Sequence, residues 1–175
     1  LYGWEDDDLL VGETGADELW GGSGADRQYG SEGADLLVGE DGGDQLWGGA
    51  DHDRAYGGLG DDLLVGEDGD DQLFGGADQD RIIGAGGSDF LVGEAGADRF
   101  EFAPGAGLDT LADFRRDEGD RFVLNDPADV RFTALTVFDV DGDGTADTRL
   151  DYTGGAVIIL GVSDLTLDGW NSLVL

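Results

Sequence analysis

Apolar residues recur along the first hundred positions at a spacing of nine. Leu10, Leu19, Leu37, Leu46, Leu64, Leu73, Ile82, Leu91 and Phe100 fall on one frame, with Gln28 and Ala55 as its weak members. The frame runs without a slip from Gly3 to Glu101, giving eleven nonapeptides with these residues at position 8. Position 1 is always glycine: Gly3, Gly12, Gly21, Gly30, Gly39, Gly48, Gly57, Gly66, Gly75, Gly84 and Gly93. Position 6 is always aspartate: Asp8, Asp17, Asp26, Asp35, Asp44, Asp53, Asp62, Asp71, Asp80, Asp89 and Asp98. A larger echo, Leu-Leu-Val-Gly-Glu, returns at Leu9, Leu36 and Leu63, three nonapeptides apart.

This pattern predicts an all-β solenoid, a parallel β-roll. Six turn-forming positions, in which glycine permits backbone angles closed to other residues, precede three strand-like ones. Two such half-coils make an 18-residue turn with one strand in each of two parallel sheets. Strand alternation then points position 8 inward and positions 7 and 9 outward. At about 4.8 Å per coil, eleven half-coils build a rod of roughly 25 Å. The 27-residue echo lands on alternate sheets, so it reads as duplication history rather than a binding ladder. Arg27 and Arg81 are expected on one sheet and Arg54 on the other. Two outward position-9 columns follow: Val11, Tyr29, Trp47, Val65 and Ile83, and Trp20, Val38, Tyr56, Phe74 and Val92. The plain reading is cross-strand stacking that staples the roll. The alternatives are partner docking and sugar stacking, with Arg27, Arg54 and Arg81 meeting acidic sugars.

Charge sharpens the picture. Forty-one Asp and Glu face 9 Arg and Lys, a formal net charge of -32. Such a chain repels itself toward disorder unless a counter-charge is supplied. No basic stripe exists to displace phosphate counterions, which argues against nucleic acid. Without Cys there is neither a disulfide nor a thiolate ligand, and no apolar run is long enough to span a membrane. The missing Met, even at residue 1, suggests a piece of a longer protein. In half-coils 18 residues apart, position-6 carboxylates face each other across one coil spacing and alternate loop carbonyls point the same way. About six oxygens around a hard cation is calcium chemistry, and magnesium's tight octahedron fits worse. Six loops on one edge and five on the other allow about nine ions, which would cancel about 18 charges, so folding and binding should be one event.

Gly-Gly-x-Gly-x-Asp-x-(aliphatic)-x, repeated in register over residues 3–101, resembles the calcium-binding β-roll repeat of the RTX family of bacterial secreted proteins. The resemblance implies that one loop gives the carbonyls of positions 2 and 4 plus its Asp. The loop 18 residues on gives the carbonyls of positions 1 and 3 plus its own Asp. One implied site joins Gly22, Gly24 and Asp26 to Gly39, Asp41 and Asp44. Another joins Gly58, Gly60 and Asp62 to Gly75, Ala77 and Asp80. The implied carbonyl donors thus include Gly15, Gly24, Gly33, Gly42, Gly60 and Gly69 at position 4. At position 1 they include Gly21, Gly30, Gly39, Gly48, Gly57, Gly66, Gly75, Gly84 and Gly93. Glu13, Glu40, Glu67 and Glu94 at position 2 need not destroy a site, whereas Asp6, Asp51 and Asp78 at position 4 would weaken one if a positive φ is needed there.

The frame breaks after Phe100, dividing the chain into a roll (1–101) and a C-terminal β cap (102–175). Pro104 to Asp109 looks like a twelfth turn displaced by two residues, in which Asp109, with Asp113, would close the last site. Phe100 to Phe114 resembles the cap of serralysin-type metalloproteases and the R-modules of mannuronan C-5-epimerases. A solenoid end needs such a cap. Alternating residues in 130–175 suggest a small antiparallel β-sandwich packed on the roll. Asp139, Asp141, Asp143 and Asp147 match the front half of an EF-hand loop, but Leu150 replaces its bidentate Glu. A Gly-rich turn is the competing reading there. The apolar end, Leu173-Val174-Leu175, partly fits a type I secretion signal.

Catalytic motifs are lacking. His52 is the only His and sits in a loop, and neither His-Glu-x-x-His nor Gly-x-Ser-x-Gly occurs. The expectation is a non-catalytic, secreted calcium module of a larger bacterial protein. Its partners would be the type I secretion machinery and attached domains. The rivals are a module binding acidic polysaccharide and an adhesin or surface-layer repeat.

Overall fold

The computed structural model describes residues 1–124, 132–138, 145–152 and 154–161. No helix occurs among them. Strands β1 (Tyr2–Glu5), β3 (Glu18–Ser23), β5 (Leu36–Asp41), β7 (Arg54–Leu59), β9 (Gln72–Ala77), β11 (Phe90–Ala95) and β13 (Gly107–Leu111) lie side by side in one sheet. Strands β2 (Leu9–Thr14), β4 (Arg27–Glu32), β6 (Gln45–Ala50), β8 (Leu63–Asp68), β10 (Arg81–Gly86), β12 (Arg99–Phe102) and β14 (Arg121–Leu124) form the other. Within each sheet these neighbours run parallel, in register at 18 residues through the roll, as Leu19 pairs Leu37 and Leu46 pairs Leu64. After β11 the offset grows to 20, since Phe90 pairs Thr110.

The strands are longer than the sequence suggests. From β2 to β11 each spans positions 7, 8, 9, 1, 2 and 3, leaving only positions 4 to 6 as the turn. Glycine-rich positions 1–3 join the sheet because their backbone groups pair with the coils above and below, whatever their own strand preference. Position 2 takes a positive φ even where it is not glycine, at Glu13 (74°), Glu40 (77°), Glu67 (76°) and Glu94 (71°). Position 4 does so too, including Asp6 (74°), Asp51 (78°) and Asp78 (81°). These left-handed residues bend each strand toward the next turn.

Position 8 builds the core. Leu19, Leu37, Leu46, Leu64, Leu73, Ile82, Leu91 and Phe100 are wholly buried, and Phe102, Leu111, Phe114 and Phe122 continue the column beyond the roll. Gln28 is wholly buried among them, between Leu10 and Leu46. Its Nε2 donates to the Val38 carbonyl at 2.7 Å, while Oε1 has no partner. Removing an unsatisfied acceptor and restoring apolar contact should outweigh the one lost bond. Gln28→Leu is therefore expected to raise stability by about 1 kcal/mol, read as a higher urea midpoint at saturating calcium.

The outward columns stack. Tyr29 and Trp47 lie 4.7 Å apart and 5° from parallel, and Tyr56 and Phe74 lie 4.9 Å apart and 7° from parallel. Their ring faces are turned to each other, as the cross-strand staple requires. Arg27 and Arg81 share one sheet and Arg54 lies on the other, as the 27-residue spacing predicts.

At the C-terminal end the cap joins the roll's own sheet. Strand β17 (Gly155–Ile159) pairs parallel with β13. Strands β16 (Asp147–Tyr152) and β15 (Phe132–Phe138) then add antiparallel, giving ten strands in all. Among the described residues, the antiparallel strands thus extend that sheet at its edge rather than stacking on the roll.

Candidate metal centre

The position-6 aspartates form two columns, one along each edge. On the first edge, the backbone N–H of Asp8 donates to Asp26 Oδ1 at 2.8 Å, Asp26 to Asp44 at 2.8 Å, and Asp44 to Asp62 at 2.7 Å. The series continues from Asp62 to Asp80, Asp80 to Asp98, and Asp98 to Asp120, each at 3.0 Å. On the second edge it runs Asp17, Asp35, Asp53, Asp71, Asp89 and Asp109, at 2.8 to 3.1 Å. Each carboxylate therefore satisfies the turn of the coil before it through one oxygen.

The second oxygen is stranded. Oδ2 of Asp8, Asp17, Asp26, Asp35, Asp44, Asp53, Asp62, Asp71, Asp80, Asp89 and Asp109 is buried with no hydrogen-bond partner. A buried charged oxygen without a partner is costly. For Asp35, Asp44, Asp53, Asp62, Asp71, Asp80, Asp89 and Asp109, burial is the main cause that pushes the carboxyl upward from the usual range, with repulsion from nearby carboxylates adding to it and the N–H bonds partly offsetting it. Asp44, Asp89 and Asp98 rise to about 6, Asp53 and Asp80 to about 7, and Asp62 and Asp109 to about 8.

Position-1 glycine is required for space, not for a special backbone angle. None of these glycines has a positive φ. A methyl at Gly21, Gly30, Gly39, Gly57, Gly66 or Gly75 would overlap both Oδ2 of its own aspartate and the position-1 carbonyl oxygen of the next coil. At Gly48, Gly84 and Gly93 it would overlap the aspartate. That packing also shows which way the carbonyls point. At position 1 they face the preceding coil, as Gly39 O faces Gly21. At positions 2 and 4 they face the following one, as Trp4 O faces Gly22 and Asp6 O faces Gly24. The position-3 carbonyl also faces back, accepting from position 4, as Asp41 O does from Gly24 N–H at 2.9 Å. Among position-4 glycines, Gly15, Gly24, Gly33, Gly42, Gly60 and Gly69 all have positive φ.

Between adjacent turns there are thus two carboxylates and carbonyls converging from both coils. All are oxygen donors, suited to a hard cation such as calcium. Among the described residues no three acidic or His side chains come together as a metal cluster. For a cation held there, backbone oxygen would supply most of the donors. The stranded Oδ2 atoms fit such an ion, since a cation is the partner they lack.

The residues near the cap divide between edges. Asp109 continues the second column, whereas Asp113 lies over the first-edge loop, accepting from Gly93 N–H at 2.9 Å and Glu94 N–H at 2.7 Å. The two do not form one site. Asp120 is the residue that continues the first column; its offset of 22 hides it from the nonapeptide frame. Asp147 is wholly buried and accepts from Gly161 N–H at 2.8 Å. Asp139, Asp141 and Asp143, and the apolar end Leu173-Val174-Leu175 read as a partial secretion signal, lie outside the described residues. His52 accepts the Asp70 N–H at Nδ1 (2.8 Å), a service that Asp7, Asp61 and Asp70 perform at the same position in other coils.

The RTX calcium-binding nonapeptide repeat model, built on four copies, matches residues 2–28, 29–64 and 65–100. The chain belongs to this RTX repeat family. Its two aspartate columns are the RTX position-6 residues stacked turn on turn. No curated protein matches the chain. Among solved structures it is similar to the extracellular lipase LipA from Serratia marcescens, with 17% identity and a TM-score of 0.45. That similarity covers 91% of this RTX chain and 37% of the lipase.

Proposed function

We propose that this chain is a non-catalytic module that folds on extracellular calcium and supports the export and stability of a larger secreted bacterial protein. The observation that carries the reading is the pair of aspartate columns with buried, partnerless Oδ2 atoms. Without ions, the columns concentrate charge in a chain already at -32, so the unfolded state is favoured where calcium is scarce. Calcium supplies the missing partners and joins one turn to the next. A chain kept unfolded inside the cell and folded outside suits a type I exporter that passes extended substrates.

Small-angle scattering tests this. The radius of gyration should be near 44 Å in EGTA and below about 20 Å in calcium, from the scaling of unfolded and compact chains. A compact chain in EGTA would remove the basis for export in the unfolded state.

A second reading, binding of acidic polysaccharide, has one observation in its favour. Arg81, Arg99 and Arg121 stand in register on adjacent strands β10, β12 and β14, with Arg27 on the same sheet. Buried Glu101 holds Arg81 at 2.5 Å and Arg99 at 2.6 Å. Against it, Tyr29 and Trp47, and Tyr56 and Phe74, turn their ring faces to each other rather than to a sugar ring. Titration with a polyuronate at fixed calcium decides, and no binding would retire the reading.

A further inference from the structure

The second aspartate column stops at Asp109. Strand β17 lies next in register, and opposite Asp109 it places Val157, wholly buried and without a polar side chain. The carboxylate that should face Asp109 across the next spacing is therefore missing. Another oxygen arrives from the antiparallel strand β16. Tyr152 is 3% exposed and its hydroxyl has no hydrogen-bond partner. A methyl on Gly155 would stand 2.8 Å from that hydroxyl and 3.0 Å from the Gly107 carbonyl oxygen, so both oxygens crowd the same point. The Gly107 carbonyl corresponds to the position-4 carbonyls that face the following coil, since Gly107 bridges Gly87. Asp109 Oδ2 is likewise buried and partnerless. The charges of Asp109 and Asp89 lie near enough to push the buried phenol further upward in pKa.

We propose that Asp109, the Gly107 carbonyl and the Tyr152 phenol form a terminal cation site that joins the cap to the roll, taking a hard divalent ion of calcium's size. All three donors are oxygen, which excludes the softer transition metals as preferred ions. The phenol stands in for the absent carboxylate. The site differs from those between repeats because its two halves come from strands of opposite direction, so an ion there fastens β16 to the last parallel turn. The inference rests on the calcium reading of the roll.

Equilibrium dialysis with calcium on the full chain and on Tyr152→Phe tests it. The phenyl ring keeps the packing and removes only the oxygen. One ion is expected to be lost or weakened roughly tenfold or more, with the remaining ions unchanged. An unchanged isotherm would overturn the site and leave the roll reading intact. If the unsubstituted chain binds no calcium at all, the roll reading itself fails. Should Tyr152→Phe not fold, crystals of the unsubstituted chain grown in calcium answer directly through anomalous scattering. A peak about 2.3–2.6 Å from the Tyr152 oxygen supports the site, and its absence overturns it.

Discussion

Gly57→Ala is expected to destabilise the roll by about 3 kcal/mol or more, at the upper end of the usual cost of overpacking. The added methyl would overlap Asp62 Oδ2 and the Gly75 carbonyl oxygen, both held by stacked turns. Asp62 must then move, which breaks the bond it accepts from Asp44 N–H at 2.7 Å. The damage reaches three coils, because a solenoid's stability is carried by nearest-neighbour contacts. Gly15→Ala is the informative comparison. Gly15 has a φ of 110° but no atom within 4 Å of an added methyl. Its replacement carries backbone strain alone, about 1–2 kcal/mol. Urea denaturation at saturating calcium separates the two. Equal losses would mean that position-1 glycine serves the backbone rather than the aspartate.

Without calcium, the fold should be strongest in mild acid. Asp44, Asp53, Asp62, Asp80, Asp89, Asp98 and Asp109 titrate near 3.9 when unfolded, but from about 6 to about 8 in the folded chain, chiefly through burial. Between those limits the folded state binds more protons than the unfolded one, so stability falls as pH rises. The contribution is fully present below about pH 4 and is lost as pH climbs through the folded values. In EGTA, far-UV circular dichroism should therefore report more β-structure at pH 5 than at pH 8. Calcium should reverse the loss at pH 8, since the ion replaces the protons. Its affinity should rise about tenfold per pH unit for each proton displaced. An EGTA-treated chain with the same stability at both values would show that the columns are not desolvated as described.

The nonapeptide frame made much of this architecture legible. A mostly Leu-or-Ile position and a strict Asp position, each returning every nine residues, leave little choice but two sheets, one apolar column and two acidic edges. What stayed hidden has physical causes. Strand pairing at positions 1–3 comes from neighbouring coils, and residues such as Gly39, Glu40 and Asp41 carry no strand signature of their own. The need for Gly at position 1 looks like a backbone requirement until Asp is seen lying against it. Asp120 falls off the frame because the intervening loop adds four residues to the 18-residue repeat. Asp113 and Asp109 are close in sequence yet serve opposite edges, because β13, which contains Asp109, carries the chain across to the other edge. Tyr152 was invisible as a site residue, since only the antiparallel return of β16 brings it to the end of the column.

The proposed function rests on calcium driving the roll to fold by partnering the aspartate columns. The most direct measurement is far-UV circular dichroism of the EGTA-stripped chain at neutral pH during a calcium titration, with magnesium as the control. A cooperative coil-to-β transition is expected with calcium and none with magnesium at equal concentration. A chain already rich in β-structure in EGTA, and unchanged by calcium, would contradict it.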